Sequence, residues 1–441
     1  MRSIAGWEVG QWTCSMSDYR NELACSGGGR VGEAVSATQR VLFIAEAVTL
    51  AHVARPLAMA RTLDPARYEV IFACDPRYNR LLETSRLKLL PLHSISSERF
   101  LTSLASGSRL YSKATLDAYV KADLELIKAC QPDIVVGDFR LSLSVSARLA
   151  GKPYITISNA YWSPYARPHF TVPELPMLKF TGLKLGQRLF DLARPVAFRY
   201  HALPLDQLRK QYGLPPLGLD LRRVYTDADY TLYADIPQLV PTYDLPDTHR
   251  YVGPTLWSPS GPLPDWWTGL PDDRPIVYVT LGSSGHGRLL PMVLKALANM
   301  PVTVIAASAG RGLTVDVPPN AFIADYLPGE EAAKLAALVI SNGGSQTSYQ
   351  ALANGKPVIG MPANLDQYLN MQYIQQAGAG QVIRAGMATP EKISSSVSEI
   401  LGMPSYTQEA LQLMQSILAY PSQKIYENTV ERAYRERLCA K

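Results

Sequence analysis

Residues 338–372, LVISNGGSQTSYQALANGKPVIGMPANLDQYLNMQ, decide how this chain folds. Leu338, Val339 and Ile340 form a short apolar run of the kind buried inside a parallel sheet, and it stops at Ser341-Asn342-Gly343-Gly344. Behind the glycines, residues 345–354 suit a helix closed by Gly355, and residues 357–361 form a second apolar strand. The stretch therefore reads as a βαβ unit. The turn ahead of its helix presents unpaired backbone N–H groups and the positive end of the helix dipole, about half a unit charge. Glycines at such a turn let a diphosphate approach the backbone closely. Asn342, Ser345, Gln346 and Thr347 can all donate hydrogen bonds, and none is negative. After Pro362, Asp366 and Gln367 set a carboxylate and an amide beyond the neighbouring strand, where open α/β sheets bind ligands. Such a pair can bracket sugar hydroxyls.

Outward from this unit the same alternation repeats. Residues 276–281 form a strand that ends in Gly282-Ser283-Ser284-Gly285, a second turn of small residues before a helix over 289–298. Strands at 302–307 and 322–325 follow, the latter leading into Tyr326-Leu327-Pro328-Gly329. Beyond the opening stretch come a strand at 381–383 and helices near 390–401, 407–418 and 424–438. The Pro-rich segment 237–275 reads as an interdomain connection.

On its far side, RVLFIAEAVTLAHVARPLAMARTL begins at Arg40 as a strand, a short loop and a helix on which Val53, Leu57, Ala60 and Leu63 recur at helical spacing. His52 stands where that helix starts. Strands follow at 68–74 and 89–92. Residues 94–112, rich in Ser and Leu, read as a mobile loop, and 116–130 as an amphipathic helix. Residues 134–137 are a strand with Asp138 at its carboxyl end, 141–150 a helix, and 154–157 and 230–233 further strands. His52 and Asp138 thus share one edge of a parallel sheet. Taken singly, His52 also suits a structural or surface histidine, and Asp138 a helix N-cap.

Composition narrows the class. A length of 441 residues suggests two or three domains, and a hydrophobic fraction of 47% is ordinary for cores of that size. The five cysteines, Cys14, Cys25, Cys74, Cys130 and Cys439, show neither C-x-x-C pairing nor zinc spacing, so they read as thiols of a reducing compartment and offer no metal site. A net charge of +5 without a dense Lys/Arg block excludes a nucleic-acid track. No apolar run approaches the roughly eighteen residues of a membrane span. Residues 1–38 lack a signal-peptide core and read as a disordered extension, within which Met16 competes with Met1 as the natural start. Asp227-Ala228-Asp229 has the D-x-D form that binds metal in an unrelated fold, but it leads into a strand here and no divalent ion is expected. In 182–202, Lys184, Arg188, Arg194 and Arg199 lie beside Leu185, Leu189, Phe190 and Leu192. That helix is either a solvated lid over a pocket or a contact with an anionic membrane surface.

The opening stretch resembles the donor-binding signature of the family 1 glycosyltransferases, UDP-glycosyltransferase-like enzymes of the GT-B fold. The bacterial pattern is roughly H-G-G-x-x-T-x-x-E, then G-x-P, P and D-Q. This chain supplies Gly343, Gly344, Thr347, Gly355-Lys356-Pro357, Pro362 and Asp366-Gln367 in order. It departs at Asn342, where the family has a phosphate-facing histidine, and at Gln350, where it has a ribose-facing glutamate. Over roughly residues 40–440 the resemblance implies two facing Rossmann-like, doubly wound parallel-sheet domains. They would be an acceptor domain at 39–250 and a nucleotide-sugar domain at 251–441, with the last helix crossing back to the first.

It further implies an inverting, metal-independent hexosyl transfer, from a nucleotide sugar of the UDP-hexose kind to a hydroxyl of a small apolar or lipid-like acceptor, with no other cofactor. His52 would be the general base and Asp138 its partner. Ser283, Ser284, Asn342, Gly343, Gly344, Ser345, Gln346 and Thr347 would face the diphosphate, Tyr326 and Leu327 the base, Gln350 the ribose, and Asp366 and Gln367 the sugar. The expected location is the cytoplasm, with peripheral membrane contact through 182–202. Alternatives are a MurG-like lipid glycosyltransferase, a UDP-GlcNAc 2-epimerase-like enzyme, and a non-catalytic auxiliary protein of the same fold. The His52 loop and the Asp366-Gln367 pair favour family 1 over the first two. His52 and Asp138 together speak against the last.

Overall fold

The computed structural model describes residues 38–82, 87–258, 261–282, 289–308 and 316–439; the readings placed on residues 1–37 and on Ser283 and Ser284 lie outside them. Strands β1 (Gln39–Ala45), β2 (Tyr68–Cys74), β3 (Lys88–Pro91), β4 (Ile134–Asp138), β5 (Tyr154–Ser158), β6 (Tyr230–Tyr233) and β7 (His249–Tyr251) form one sheet, in the order β3-β2-β1-β4-β5-β6-β7. Strands β8 (Ile276–Thr280), β9 (Thr303–Ala307), β10 (Ala321–Ala324), β11 (Leu338–Ser341), β12 (Val358–Gly360) and β13 (Gly380–Val382) form the other, in the order β10-β9-β8-β11-β12-β13. Every pairing is parallel. Their Val- and Ile-rich sequences fit that arrangement, because a parallel sheet is covered on both faces.

In each sheet the strand order reverses once, between β1 and β4 and between β8 and β11, and such a reversal opens a crevice at the carboxyl ends. Ala45 is paired with Asp138 at the first, and Ser341 with Thr280 at the second. The two chemistry-bearing stretches of the sequence are therefore the two switch points of the fold.

The helices of the first half are α1 (Leu50–Thr62), α2 (Asn79–Leu82), α3 (Ser97–Ser106), α4 (Lys113–Cys130), α5 (Leu143–Leu149), α6 (Leu178–Gln211) and α7 (Leu221–Thr226). Those of the second are α8 (Leu289–Leu297), α9 (Gly329–Leu335), α10 (Ser345–Leu352), α11 (Leu365–Gln376), α12 (Pro390–Gly402), α13 (Pro404–Leu418) and α14 (Ser422–Cys439). The last of these packs on the first sheet, where Tyr426, Val430 and Ala433 are buried with Val41, Phe43 and Phe72.

Two expectations are corrected. Residues 94–112 contain α3 rather than a loop: Ser96 Oγ accepts the Arg99 N–H at 3.2 Å, Gly107 closes the helix at φ 68°, and Phe100 is buried. The segment 237–275 is not all connection, because β7 pairs with β6 and lies across the expected boundary at 250.

Beneath the carboxyl ends of β1 and β4, Arg140 is buried with two carboxylates. Its Nη1–H donates to Glu46 Oε2 at 2.8 Å and its Nε–H to Asp123 Oδ1 at 3.1 Å. Tyr111 and Tyr119 both donate to Glu46 Oε1. This paired cluster ties the loop between β1 and α1 to the loop that follows β4.

Candidate active site

His52 lies in the first turn of α1, and Asp138 is the last residue of β4, fully buried. Their register in the sheet brings His52 Nδ1 to 2.9 Å from Asp138 Oδ1. With Nδ1–H donating to the carboxylate, Nε2 is the ring nitrogen left to meet a substrate proton. Phe139 follows with φ 56°, an uncommon conformation for a bulky residue, and its ring stacks on the imidazole at 4.5 Å and 13°. Backbone strain at the end of β4 thus fixes the plane of His52.

Arg55, one helical turn after His52, takes the same carboxylate from the other side. Its Nε–H donates to Asp138 Oδ2 at 2.5 Å and its Nη2–H to Oδ1 at 2.8 Å. Burial by itself would push the Asp138 carboxyl up; the Arg55 charge and hydrogen bonds, with a smaller share from His52, hold it below the ordinary carboxylate range. Asp138 is therefore an anion at neutral pH, suited to stabilising an imidazolium.

His52 opens onto a cavity of about 840 Å³ lined from both sheets. The first domain contributes an apolar wall that includes Phe100, Leu104, Phe139, Phe190, Phe198 and Tyr225. From the second come Tyr326, Leu327, Asn342, Gly344, Ser345, Gln346, Thr347, Gln350, Asp366 and Gln367. The turn at Gly343 needs glycine: φ is 81°, and a Cβ there would sit 2.7 Å from Met371 Cγ. Asn342 Oδ1 accepts the Gly344 N–H at 3.1 Å, and its Nδ2 lies against Gly282, where a Cβ would come within 3.2 Å. The β8 and β11 turns meet at this amide.

Several expected ligand groups already have protein partners. Gln346 Nε2–H donates to the carbonyls of Thr255 and Trp257, and Gln350 Nε2–H also donates to Trp257 O. Gln367 belongs to the capping box of α11: its Oε1 accepts the Ala363 N–H at 2.9 Å, and its own N–H donates to Asn364 Oδ1 at 3.1 Å. Asp366 Oδ1 accepts from Trp162 Nε1–H at 2.8 Å, a bond between the two domains. Asp227 pairs with Arg148 and Arg209, and Asp229 accepts the Tyr154 N–H. Among the described residues, no group of three His, Cys, Asp or Glu has the geometry to hold a metal ion.

Sequence reasoning missed Arg55, Phe139, Asn159 and Trp162. For Arg55 a signal was present, since it lies three residues after His52 and so on the same face of α1. For the others none was.

Comparison with known proteins places this geometry. Residues 291–431 match the family model of the erythromycin biosynthesis protein CIII-like C-terminal domain. The chain is 53% identical over 384 residues to a PGL/p-HBAD biosynthesis glycosyltransferase of Mycobacterium tuberculosis, covering 87% of this chain and 90% of that protein. The chain belongs to the family 1 glycosyltransferases. Another relative, a PGL/p-HBAD biosynthesis rhamnosyltransferase of Mycobacterium bovis BCG, is 52% identical over 398 residues, 90% of this chain and 88% of the relative. Among solved structures, spinosyn rhamnosyltransferase SpnG complexed with thymidine diphosphate superposes with a TM-score of 0.65 at 20% identity, covering 89% of this chain and 100% of that one. The two sheets are those of a GT-B fold, and this glycosyltransferase carries its His52–Asp138 pair and its glycine turn on facing switch points of that fold.

Proposed function

We propose that this glycosyltransferase moves a hexose or deoxyhexose, with inversion and without a divalent ion, from a nucleoside diphosphate sugar to a hydroxyl of an apolar, lipid-like acceptor. The observation that carries the reading is that His52 and the N-terminal turn of α10 line one cavity. His52 Nε2 takes the acceptor proton as the oxygen attacks the anomeric carbon; the bond from that carbon to the diphosphate oxygen breaks, and the diphosphate leaves with the electron pair. Asp138 stabilises the imidazolium. The backbone N–H groups of the first turn of α10, with the Ser345 and Thr347 hydroxyls, receive the charge gathering on the diphosphate, each good donor contributing on the order of 3 kcal/mol. Asp366 and Gln367 border the sugar.

For the donor, the sequence pointed to uridine. The relative named a rhamnosyltransferase, and SpnG with its thymidine diphosphate, support a deoxysugar on a thymidine nucleotide equally well. Gln350 favours the second, because a neutral amide already bonded to Trp257 O offers no charged acceptor for a ribose 2′-hydroxyl.

The outer face of α6 supports acceptor capture from a membrane. Leu185, Leu192 and Val196 recur at helical spacing and are exposed, Leu192 by 79% and Val196 by 67%, beside Lys184, Arg188 and Arg199. Among the described residues no helix is long and apolar enough to cross a membrane, so the contact proposed is with an anionic lipid surface.

Calorimetric titration with uridine and thymidine diphosphates, followed by transfer assays from the corresponding sugars to para-octylphenol, tests the reading. Binding of one nucleotide, EDTA-resistant transfer, and a His52→Ala variant that binds the nucleotide but transfers nothing are expected. Transfer that survives His52→Ala would overturn it.

A further inference from the structure

The polar chain that begins at the base does not stop at Asp138. Arg55 holds both oxygens of that carboxylate and passes its Nη1–H to Asn159 Oδ1 at 2.6 Å. Asn159 Nδ2–H donates to Asp235 Oδ2 at 3.2 Å, and the Ala160 N–H donates to the same oxygen at 2.6 Å. The other oxygen, Asp235 Oδ1, accepts from Tyr349 Oη–H at 2.9 Å. Arg55, Asn159, Asp235 and Tyr349 are all buried, Asp235 fully. The first three belong to loops and a helix of the first domain. Tyr349 belongs to α10, which begins at the glycine turn of the second.

The order of donors and acceptors along this chain is fixed from the Arg55 end. A guanidinium has no lone pair to offer, so Asn159 must turn Oδ1 toward Arg55 and therefore Nδ2 toward Asp235. Asp235 then accepts, and Tyr349 donates. Reversing the amide would break both of its bonds at once. A buried network satisfied in one direction only holds one geometry.

We propose that Arg55, Asn159, Asp235 and Tyr349 are positioning residues that form a strut between the catalytic base and the donor helix. The strut keeps His52 Nε2 at one separation from the anomeric carbon of a sugar bound at α10, and in this it rests on the glycosyl-transfer reading above. None of the four needs to touch a reacting atom for its loss to be felt, because a misplacement of about 1 Å at the reacting centre costs on the order of a hundredfold in rate.

The test is a double-mutant cycle in the full chain with Tyr349→Phe, which removes one hydroxyl and keeps the ring, and Arg55→Lys, which keeps the charge and loses the fork. Each single change should lower kcat for transfer to para-octylphenol by about tenfold or more, with the donor KM within about twofold. The double variant should be no worse than the poorer single, because one break already disables the strut. If the two effects multiply instead, or if kcat and melting temperature fall together while donor KM rises, the residues act separately or only as packing and the proposal falls. Should Arg55→Lys fail to fold, Asn159→Ser takes its place in the cycle. A second arm does not depend on turnover. In nitrogen-labelled protein, the His52 Nδ1–H signal, identified by its loss in His52→Gln, should shift in Tyr349→Phe; an unmoved signal overturns the strut. A shifted signal in a protein that transfers nothing would keep the strut and sink the activity assigned to it.

Discussion

Asp138 serves an imidazole and a guanidinium at once, and that changes what its substitution does. From the sequence, Asp138→Asn is expected to cost rate more than donor affinity, since an amide can hold the imidazole but cannot stabilise its charge. The structure adds Arg55, whose buried guanidinium has Asp138 as its carboxylate partner in a bidentate pair. Removing the negative charge leaves a buried cation uncompensated, which costs about 3 to 5 kcal/mol. Asp138→Asn should therefore lower the melting temperature as well as abolish transfer, and thermal denaturation read beside nucleotide binding separates the two effects. An unchanged melting temperature would show that Arg55 finds another anion. His52 and Asp138 were legible because each ends or follows a recognisable strand, so topology alone put them at one edge. The role of Arg55 was only half legible: its spacing puts it on the face of α1 that carries His52, but its partner lies 83 positions away. The second domain teaches the same lesson: Gln346, Gln350 and Gln367 read as ligands of a nucleotide sugar because of their hydrogen-bonding capacity, but a sequence shows that capacity and not the loop carbonyls and helix caps that already engage it.

At the scale of elements, the strands that alternate with helices were readable nearly residue by residue, since β-branched runs bounded by glycine, proline or aspartate leave little choice of boundary. The failures have physical reasons. In α3 the helix is stabilised by its caps, Ser96 and Gly107, and by burying Phe100 against Phe139, so its Ser-rich composition misleads. β7 is three residues long and gains its stability by adding to an existing edge, a tertiary effect with no period to detect. α6 was found but underestimated: it runs 34 residues with a break at Gly182, and its exposed apolar row was visible only as leucines beside arginines. If that row meets lipid, the full chain should sediment with vesicles containing anionic phospholipid and not with neutral ones. Leu192→Asp combined with Val196→Asp should reduce the bound fraction by about tenfold or more, because burial of the apolar face drives such binding. Both side chains are outside the cavity lining, so nucleotide affinity should stay unchanged. A wild-type dimer that the same pair of substitutions dissociates would assign the row to a second copy instead.

For the whole molecule, the question is what makes two separately wound sheets act as one enzyme. Contacts between the two domains are both polar and apolar: Trp162 donates to Asp366 and Tyr349 to Asp235, Glu174 pairs with Arg384, and Tyr161, Ile236 and Val240 share a buried cluster with Tyr349, Leu352 and Leu369. The covalent crossings add to these. The chain leaves the first sheet after β7 and returns as α14, and the two crossings touch where Gly253, at φ 71°, lies so close to Ser422 that a Cβ would come within 2.4 Å of its Oγ. Beyond that point α14 is part of the first domain's core. Tyr426 is buried with its ring 6.5 Å from Phe43, Tyr230 Oη–H donates to Glu436 Oε2 at 2.6 Å, and Arg437 Nη1–H donates to Asp133 O at 2.8 Å. Helix α14 thus packs on the sheet whose edge carries His52 and Asp138, although the second domain lies between them in sequence. Truncating Tyr426 to alanine should cost about 3 to 5 kcal/mol, the usual price of a large cavity under an aromatic side chain. Because the loss falls on the first domain alone, calorimetry of Tyr426→Ala should resolve two unfolding transitions, with only the later one raised by saturating thymidine or uridine diphosphate. A single transition shifted as a whole would mean that the contacts between the domains, and not the returning helix, hold the two halves in one cooperative unit.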